Sequence, residues 1–226
     1  MTVHGCDADY VLADQNMCFQ LPDELSFEDG STIACAGGTS FHALRRADVR
    51  AGEYVLVSGL GPVGLAATLL ASTMGGIVIG SEPIAYRREL ALKNGATYVI
   101  DPTSEDMPEK VKEITGGGAE VVIETSGNDR ARVDVIKATP YRARLVYVGW
   151  GGKANNATVG PMLGERWITG SNLFTDADYY DVTQLMLREN IRFSSLVSHR
   201  FPLEEAQAAF DLFDTKETGK VVFAWD

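Results

Sequence analysis

Short apolar, β-branched runs alternate along this chain with longer stretches in which apolar residues recur at helical spacing. From residue 54 onward the runs are Tyr54–Ser58, Ile77–Ser81, Thr97–Ile100, Glu120–Glu124 and Arg144–Val148. They are largely apolar rather than alternating, which suits strands of a parallel sheet covered on both faces. The gaps between them, Val63–Met74, Ala85–Asn94, Met107–Thr115 and Arg130–Thr139, carry the spacing of helices, and the second ends in Asn94-Gly95, a common helix stop. A strand-helix series of this kind predicts an α/β fold built on a doubly wound parallel sheet.

The ends read differently. Residues 8–34 offer a short strand around Tyr10–Leu12, a turn at Leu21-Pro22-Asp23, and a helix start at Ser26 with Asp29 three positions on as a capping-box pair. Past the central series, Trp167–Leu173 reads as a strand and Asp178–Glu189 as a helix. Leu196–Phe201, Leu203–Phe213 and Lys220–Ala224 then make a strand-helix-strand tail. Tyr54 to Ser81 holds no charged residue and is long enough to cross a bilayer. Gly59, Gly61, Pro62, Gly64, Gly75 and Gly76 break it into strand, turn, helix and strand, so a membrane span is not expected.

Composition narrows the partners. The 226 residues are 45% hydrophobic and 23% charged with a net charge of −11, a globular mixture with no general attraction to nucleic acid or anionic lipid. Cys6, Cys18 and Cys35 are too few for a disulfide scaffold, and the first residues lack a basic start and apolar run, so a cytoplasmic setting is expected.

Gly59-Leu60-Gly61-Pro62-Val63-Gly64 matches GxGxxG directly after a predicted strand and at the mouth of a predicted helix. In that setting Gly59 permits a tight turn, Gly61 lets backbone approach a pyrophosphate, and Gly64 lets helix and strand pack closely. The helix N-terminus, opened by Pro62 and Val63, supplies unsatisfied N–H donors. Glu82, at the end of the next strand, can accept hydrogen bonds from an adenosine ribose and would repel a 2′-phosphate, which favours NAD over NADP. Arg87, with Ser81, Tyr86 and Arg88, crowds the same strand end and could accommodate that phosphate, so NADP stays the alternative.

The wider pattern resembles the medium-chain, zinc-type alcohol dehydrogenase superfamily. The resemblance rests on Gly5-Cys6-Asp7-Ala8-Asp9-Tyr10, Leu21-Pro22-Asp23-Glu24-Leu25-Ser26-Phe27, Ala34-Cys35-Ala36-Gly37-Gly38-Thr39, the glycine turn, Asn94-Gly95-Ala96, Val146-Tyr147-Val148-Gly149 and Gly219-Lys220-Val221-Val222, in that order. It implies a Rossmann domain over residues 35–189, flanked by residues 1–34 and 190–226 as an incomplete remnant of a barrel-like (GroES-like) catalytic domain. Roughly a third of a usual two-domain member has no counterpart. The resemblance also places Thr39 near the nicotinamide, Ser126 and Gly127 by the adenosine or ribose, and Val148 and Gly149 by the nicotinamide ribose. By the same likeness Ser171 and Leu173 hold the carboxamide and Lys220 reaches the pyrophosphate. Cys35 occupies the position of one ligand to a catalytic zinc, which in alcohol dehydrogenase is held by two cysteines and a histidine. The remaining ligands have no counterpart among these residues, no catalytic side chain is identified, and His42 reads as a packed or surface histidine.

These readings converge on an NAD(P)-dependent oxidoreductase that passes hydride between a nicotinamide cofactor and a small alcohol or carbonyl substrate. The alternatives are a non-catalytic dinucleotide-binding fragment or sensor, a zinc-independent quinone or enoyl reductase, and a methyltransferase. Without partner strands the two ends are expected to expose Phe19, Phe201 and Phe223, and the edge-like Trp167–Leu173 is expected to support a homodimer.

Overall fold

The structure is a computed structural model that describes residues 7–151 and 164–225. Its centre is a parallel six-stranded sheet of β1 (Tyr54–Ser58), β2 (Ile77–Ser81), β3 (Ala96–Ile100), β4 (Val121–Glu124), β5 (Arg144–Tyr147) and β6 (Trp167–Gly170), in the order β3-β2-β1-β4-β5-β6. The register runs Val55 beside Val78 and Val121, and Ser58 beside Ser81 and Glu124, so these strands end together.

Strand residues alternate between two cores, which is why the runs are apolar throughout. Val55, Val57, Val121 and Ile123 face α2 (Gly38–Arg46), α3 (Pro62–Thr73) and α7 (Asp176–Arg188). Leu56, Ile79, Val122 and Leu145 face α5 (Met107–Thr115) and α6 (Asp129–Lys137). The doubly wound sheet expected from the pattern is therefore present, with α4 (Ala85–Lys93) following β2. The charge-free stretch resolves into β1, α3 and β2, and among the described residues no helix is long and apolar enough to cross a membrane.

The N-terminal helical run is longer than its pattern suggests. Ser26 and Asp29 form the full capping box that starts α1 (Phe27–Thr32), which passes through a π-turn at Ile33–Gly37 directly into α2. A division at 34/35 would thus fall inside one continuous helical rod. Gly37 and Gly38 allow close packing there, because a Cβ at either would come within 2.5 Å of the Phe193 or Phe174 ring.

Several expectations need correction. Tyr10–Leu12 forms no strand, since among the described residues no strand lies beside it to pair with, and Tyr10 is 94% exposed. The Trp167 strand stops at Gly170 instead of Leu173, because Leu173 turns into the left-handed region at φ 55°. Phe19, Phe201 and Phe223 are half-buried, with Phe19 stacked on Tyr179 at 4.9 Å and Phe223 set against Phe210 at 6.4 Å. The tail forms its own two-stranded parallel sheet of β7 (Val197–Phe201) and β8 (Lys220–Phe223), joined by α8 (Ala206–Asp214).

Candidate functional site

The chain direction across the sheet reverses between β1 and β4, and a doubly wound sheet binds ligands outside the carboxyl ends of its strands at that point. Each glycine of the turn there answers to a different constraint. Gly59 has φ 89°, and a Cβ would meet the Ser126 amide at 2.8 Å. At Gly64 a Cβ would lie 1.9 Å from the Gly59 carbonyl oxygen. Gly61 is open: only Arg87 Nη1, at 3.9 Å, comes near its Cβ position, so the space above the turn suits a phosphate. Pro62 opens α3 with no side chain capping its first turn, and the Val63 carbonyl lies 2.7 Å from the Ser40 hydroxyl of α2.

Glu82 sits beside this turn, buried, and its carboxylate faces inward. The Leu60 amide donates to Oε2 at 2.7 Å and the Ile84 amide to Oε1 at 3.2 Å. A carboxylate has about four lone-pair sites, so these bonds leave capacity for a ribose hydroxyl. Glu82→Ala is expected to cost about 1–3 kcal/mol of stability by orphaning the buried Leu60 amide, besides weakening ligand binding, and urea unfolding measures the first effect.

The arginines at the strand end divide. Arg88 is spent on structure, donating to the Glu82 and Pro83 carbonyls and pairing with Asp101 at 3.1 Å. Arg87 is buried and donates through Nε to the Thr218 carbonyl at 3.0 Å, just before β8. Burial pulls its guanidinium below the ordinary value and Glu82 opposes the shift. Lys220 lies at the β8 start, where it shares with Pro62 a cleft of about 480 Å³ walled by Phe210, Phe213 and Phe223.

The other side of the crevice follows β4, β5 and β6. Ser126 and Gly127 form the turn after β4, with their amides donating to Glu124 Oε1 at 2.8 and 3.1 Å. Glu124 is completely buried, and Arg132 stands 3.5 Å from its Oε2 while donating to the Gly149 carbonyl at 2.7 Å. The Val148 and Gly149 amides return to the Glu124 carbonyl, so the turns after β4 and β5 are one bonded unit. Sequence reading passed over Glu124 and Arg132. The available signal was an acid ending an otherwise apolar strand. Ser171 is buried at the end of β6, Thr39 is buried in α2, and Leu173 is exposed.

His42 is half-buried in α2 and packs against α7. Its Nδ1 lies 2.8 Å from Oδ2 of the buried Asp178, which also caps α7 through Thr175. Burial pushes the Asp178 carboxyl up, but the Thr175 amide and hydroxyl and then His42 outweigh it and hold it below the ordinary carboxylate value. A lowered folded value means stability that is complete above the unfolded pKa and lost as pH falls through the folded one. Urea midpoints of the parent chain and Asp178→Asn are therefore expected to differ at neutral pH and to converge as acid protonates the Asp178 carboxyl.

Cys35 lies exposed in the π-turn, and among the described residues no group of three or more His, Cys, Asp and Glu is placed to hold a metal. His4 and Cys6 lie outside the described residues. The described side chains thus do not assemble a zinc site, whereas the open glycine turn beside a buried acid suits a dinucleotide.

Fold and crevice together define a doubly wound α/β chain with an open glycine turn at the point where the strand order reverses. The family described as zinc-binding dehydrogenase matches residues 62–188, more than half of the chain, and the chain belongs to that family. An uncharacterized zinc-type alcohol dehydrogenase-like protein of Escherichia coli, YphC, is 36% identical over 96% of this chain and 63% of its own length. An L-threonine 3-dehydrogenase of Pyrococcus abyssi is 36% identical over 76% of this chain and 51% of its own. Among solved structures, an alcohol dehydrogenase zinc-binding domain protein from Burkholderia ambifaria superimposes with a TM-score of 0.81 at 25% identity, over 91% of this chain and 58% of that one. The chain thus spans roughly half to two-thirds of the length of these relatives.

Proposed function

We propose that this chain carries the cofactor-binding part of an NAD(P)-dependent oxidoreductase of the alcohol dehydrogenase type. The observation that carries the reading is the open backbone at Gly61, set between an uncapped helix start and the buried carboxylate of Glu82. The Val63 and Gly64 amides of the first helical turn bind the phosphates, and Arg87 and Lys220 add positive charge on the β8 side. Glu82 takes the adenosine ribose and favours NAD, while Ser126, Gly127, Val148 and Gly149 border the second nucleoside. Bound there, the nicotinamide would exchange a hydride with a small alcohol or carbonyl compound.

In this reading residues 35–189 bind the cofactor, and residues 1–34 and 190–226 belong to the catalytic portion while sharing the rod of α1 and α2 with it. β6 supports a dimer: among the described residues it pairs with β5 alone, and Trp167 stands 78% exposed on it. Sedimentation velocity is expected to give twice the chain mass. Calorimetric titration with NADH and NADPH side by side tests the main reading. Saturable binding with NADH tighter is the expected result, and no binding by the folded chain overturns it.

Cys35, exposed and without companion ligands among the described residues, favours a second reading in which the chain binds dinucleotide without turnover. Binding of NAD with no NADH formed across a set of small secondary alcohols selects it.

A further inference from the structure

We propose that His42 is a positioning residue for the second nucleoside of the dinucleotide, acting through Asp178 and Thr175 on the loop 171–175. The inference rests on the cofactor reading above. In a doubly wound sheet the two halves, β1–β3 and β4–β6, each receive one nucleoside. The glycine turn and Glu82 belong to the first half, so Ser126–Gly127 after β4, Val148–Gly149 after β5 and residues 171–175 after β6 wall the second.

Loop 171–175 is the wall after β6. It leaves the sheet at Ser171, whose amide still donates to the Tyr147 carbonyl at 2.9 Å, and turns at Leu173. The Ser171 hydroxyl is buried and has no hydrogen-bond partner among the described residues, so the loop holds a polar group that a ligand can satisfy.

The loop is held from behind by α2. The Phe174 ring rests on the helix backbone, since a Cβ on Gly38 would come within 2.5 Å of it. One turn further, His42 Nδ1 meets Asp178 Oδ2 at 2.8 Å, and the same oxygen accepts from the Thr175 amide at 2.9 Å and its hydroxyl at 2.7 Å. Arg45 reaches Asp178 Oδ1 at 3.1 Å. A capping box is complete with the Thr175–Asp178 pair alone, so His42 and Arg45 add a restraint that helix capping does not need. On its other side α2 is fixed to the glycine helix, where the fully buried Ser40 lies 2.7 Å from the Val63 carbonyl. One rigid helix thereby sets the distance between the phosphate-binding turn and the far wall of the crevice. Displacing that wall by a fraction of an ångström would loosen the second nucleoside and leave the first untouched.

The test compares two probes on the full chain by calorimetry: NADH, and ADP, which carries the first nucleoside and both phosphates but no second nucleoside. His42→Ala is expected to weaken NADH about tenfold while ADP affinity stays within about twofold. His42→Asn, which keeps an N–H donor toward Asp178, is expected to return NADH affinity to within about threefold of the parent. Phe174→Leu loosens the same loop without touching the His42–Asp178 contact, so it carries the comparison if His42→Ala fails to fold, and NADH is expected to weaken selectively there too. Equal losses for both probes, or unchanged NADH affinity in both loosened variants, would overturn the inference alone. A parent chain that binds neither probe overturns the cofactor reading and this inference with it.

Discussion

Gly64→Ala is expected to lower NADH affinity by roughly a hundredfold, a loss of about 2.8 kcal/mol of binding free energy as the turn moves away from the phosphates. The added Cβ would stand 1.9 Å from the Gly59 carbonyl oxygen and 2.9 Å from the Thr125 hydroxyl. The first of these is backbone at the head of the turn, so helix α3 and the turn must separate. Overpacking of a tight contact also costs about 1–3 kcal/mol of stability, to be read from the urea midpoint. Gly61→Ala is the contrast. Its Cβ enters open space with only Arg87 Nη1 at 3.9 Å, so the fold is expected to keep its stability while NADH affinity falls, because the methyl group takes the phosphate's place. The pair separates a glycine needed for packing from one needed for ligand.

Glu124→Leu is expected to be the most destabilising single change in the crevice, at about 3–5 kcal/mol, the range for breaking one side of a buried ion pair. The carboxylate is completely buried and holds four groups together: the Ser126 and Gly127 amides, the Ser126 hydroxyl, and Arg132. Arg132 in turn bonds the Gly149 carbonyl, and its guanidinium lies 5.8 Å over the Tyr147 ring, so its loss would propagate to the turn after β5. A loss of that size is a large fraction of the roughly 5–15 kcal/mol that holds a domain folded. Glu124→Gln keeps an acceptor for the two amides and is expected to cost less than half as much. Equal midpoints for Glu124→Leu and the parent chain would remove the acid from the architecture of the site.

The sheet and the glycine turn were legible in the sequence because their signals are local. A fully covered parallel strand has to be apolar on both sides, and Val55, Leu56 and Val57 feed two different cores. Gly59 and Gly64 mark positions that a side chain cannot occupy without cost, and Gly61 one left open above the turn. The residue type at Glu82 was equally readable, but its inward bond to the Leu60 amide was not, since that depends on how the turn closes over the strand end. Glu124 escaped notice for a related reason: an acid at a strand end looks solvated until the Ser126–Gly127 turn folds over it. The close packing at the end of the π-turn Ile33–Gly37 was not readable, because Phe193 and Phe174 reach Gly37 and Gly38 from far along the chain. Nor does Tyr10–Leu12 contradict its β-forming composition, because propensity becomes a strand only where a neighbouring edge is present.

Amide chemical-shift mapping with NADH on isotope-labelled protein tests the central claim most directly, because it reports where the ligand sits as well as whether it binds. The account predicts saturable shifts concentrated at Leu60, Val63 and Gly64, at Glu82, and at Ser126, Gly127 and Gly149, along the carboxyl ends of β1, β2, β4 and β5. Shifts confined to the opposite, amino ends of the strands, or none at millimolar NADH from a folded chain, would contradict it.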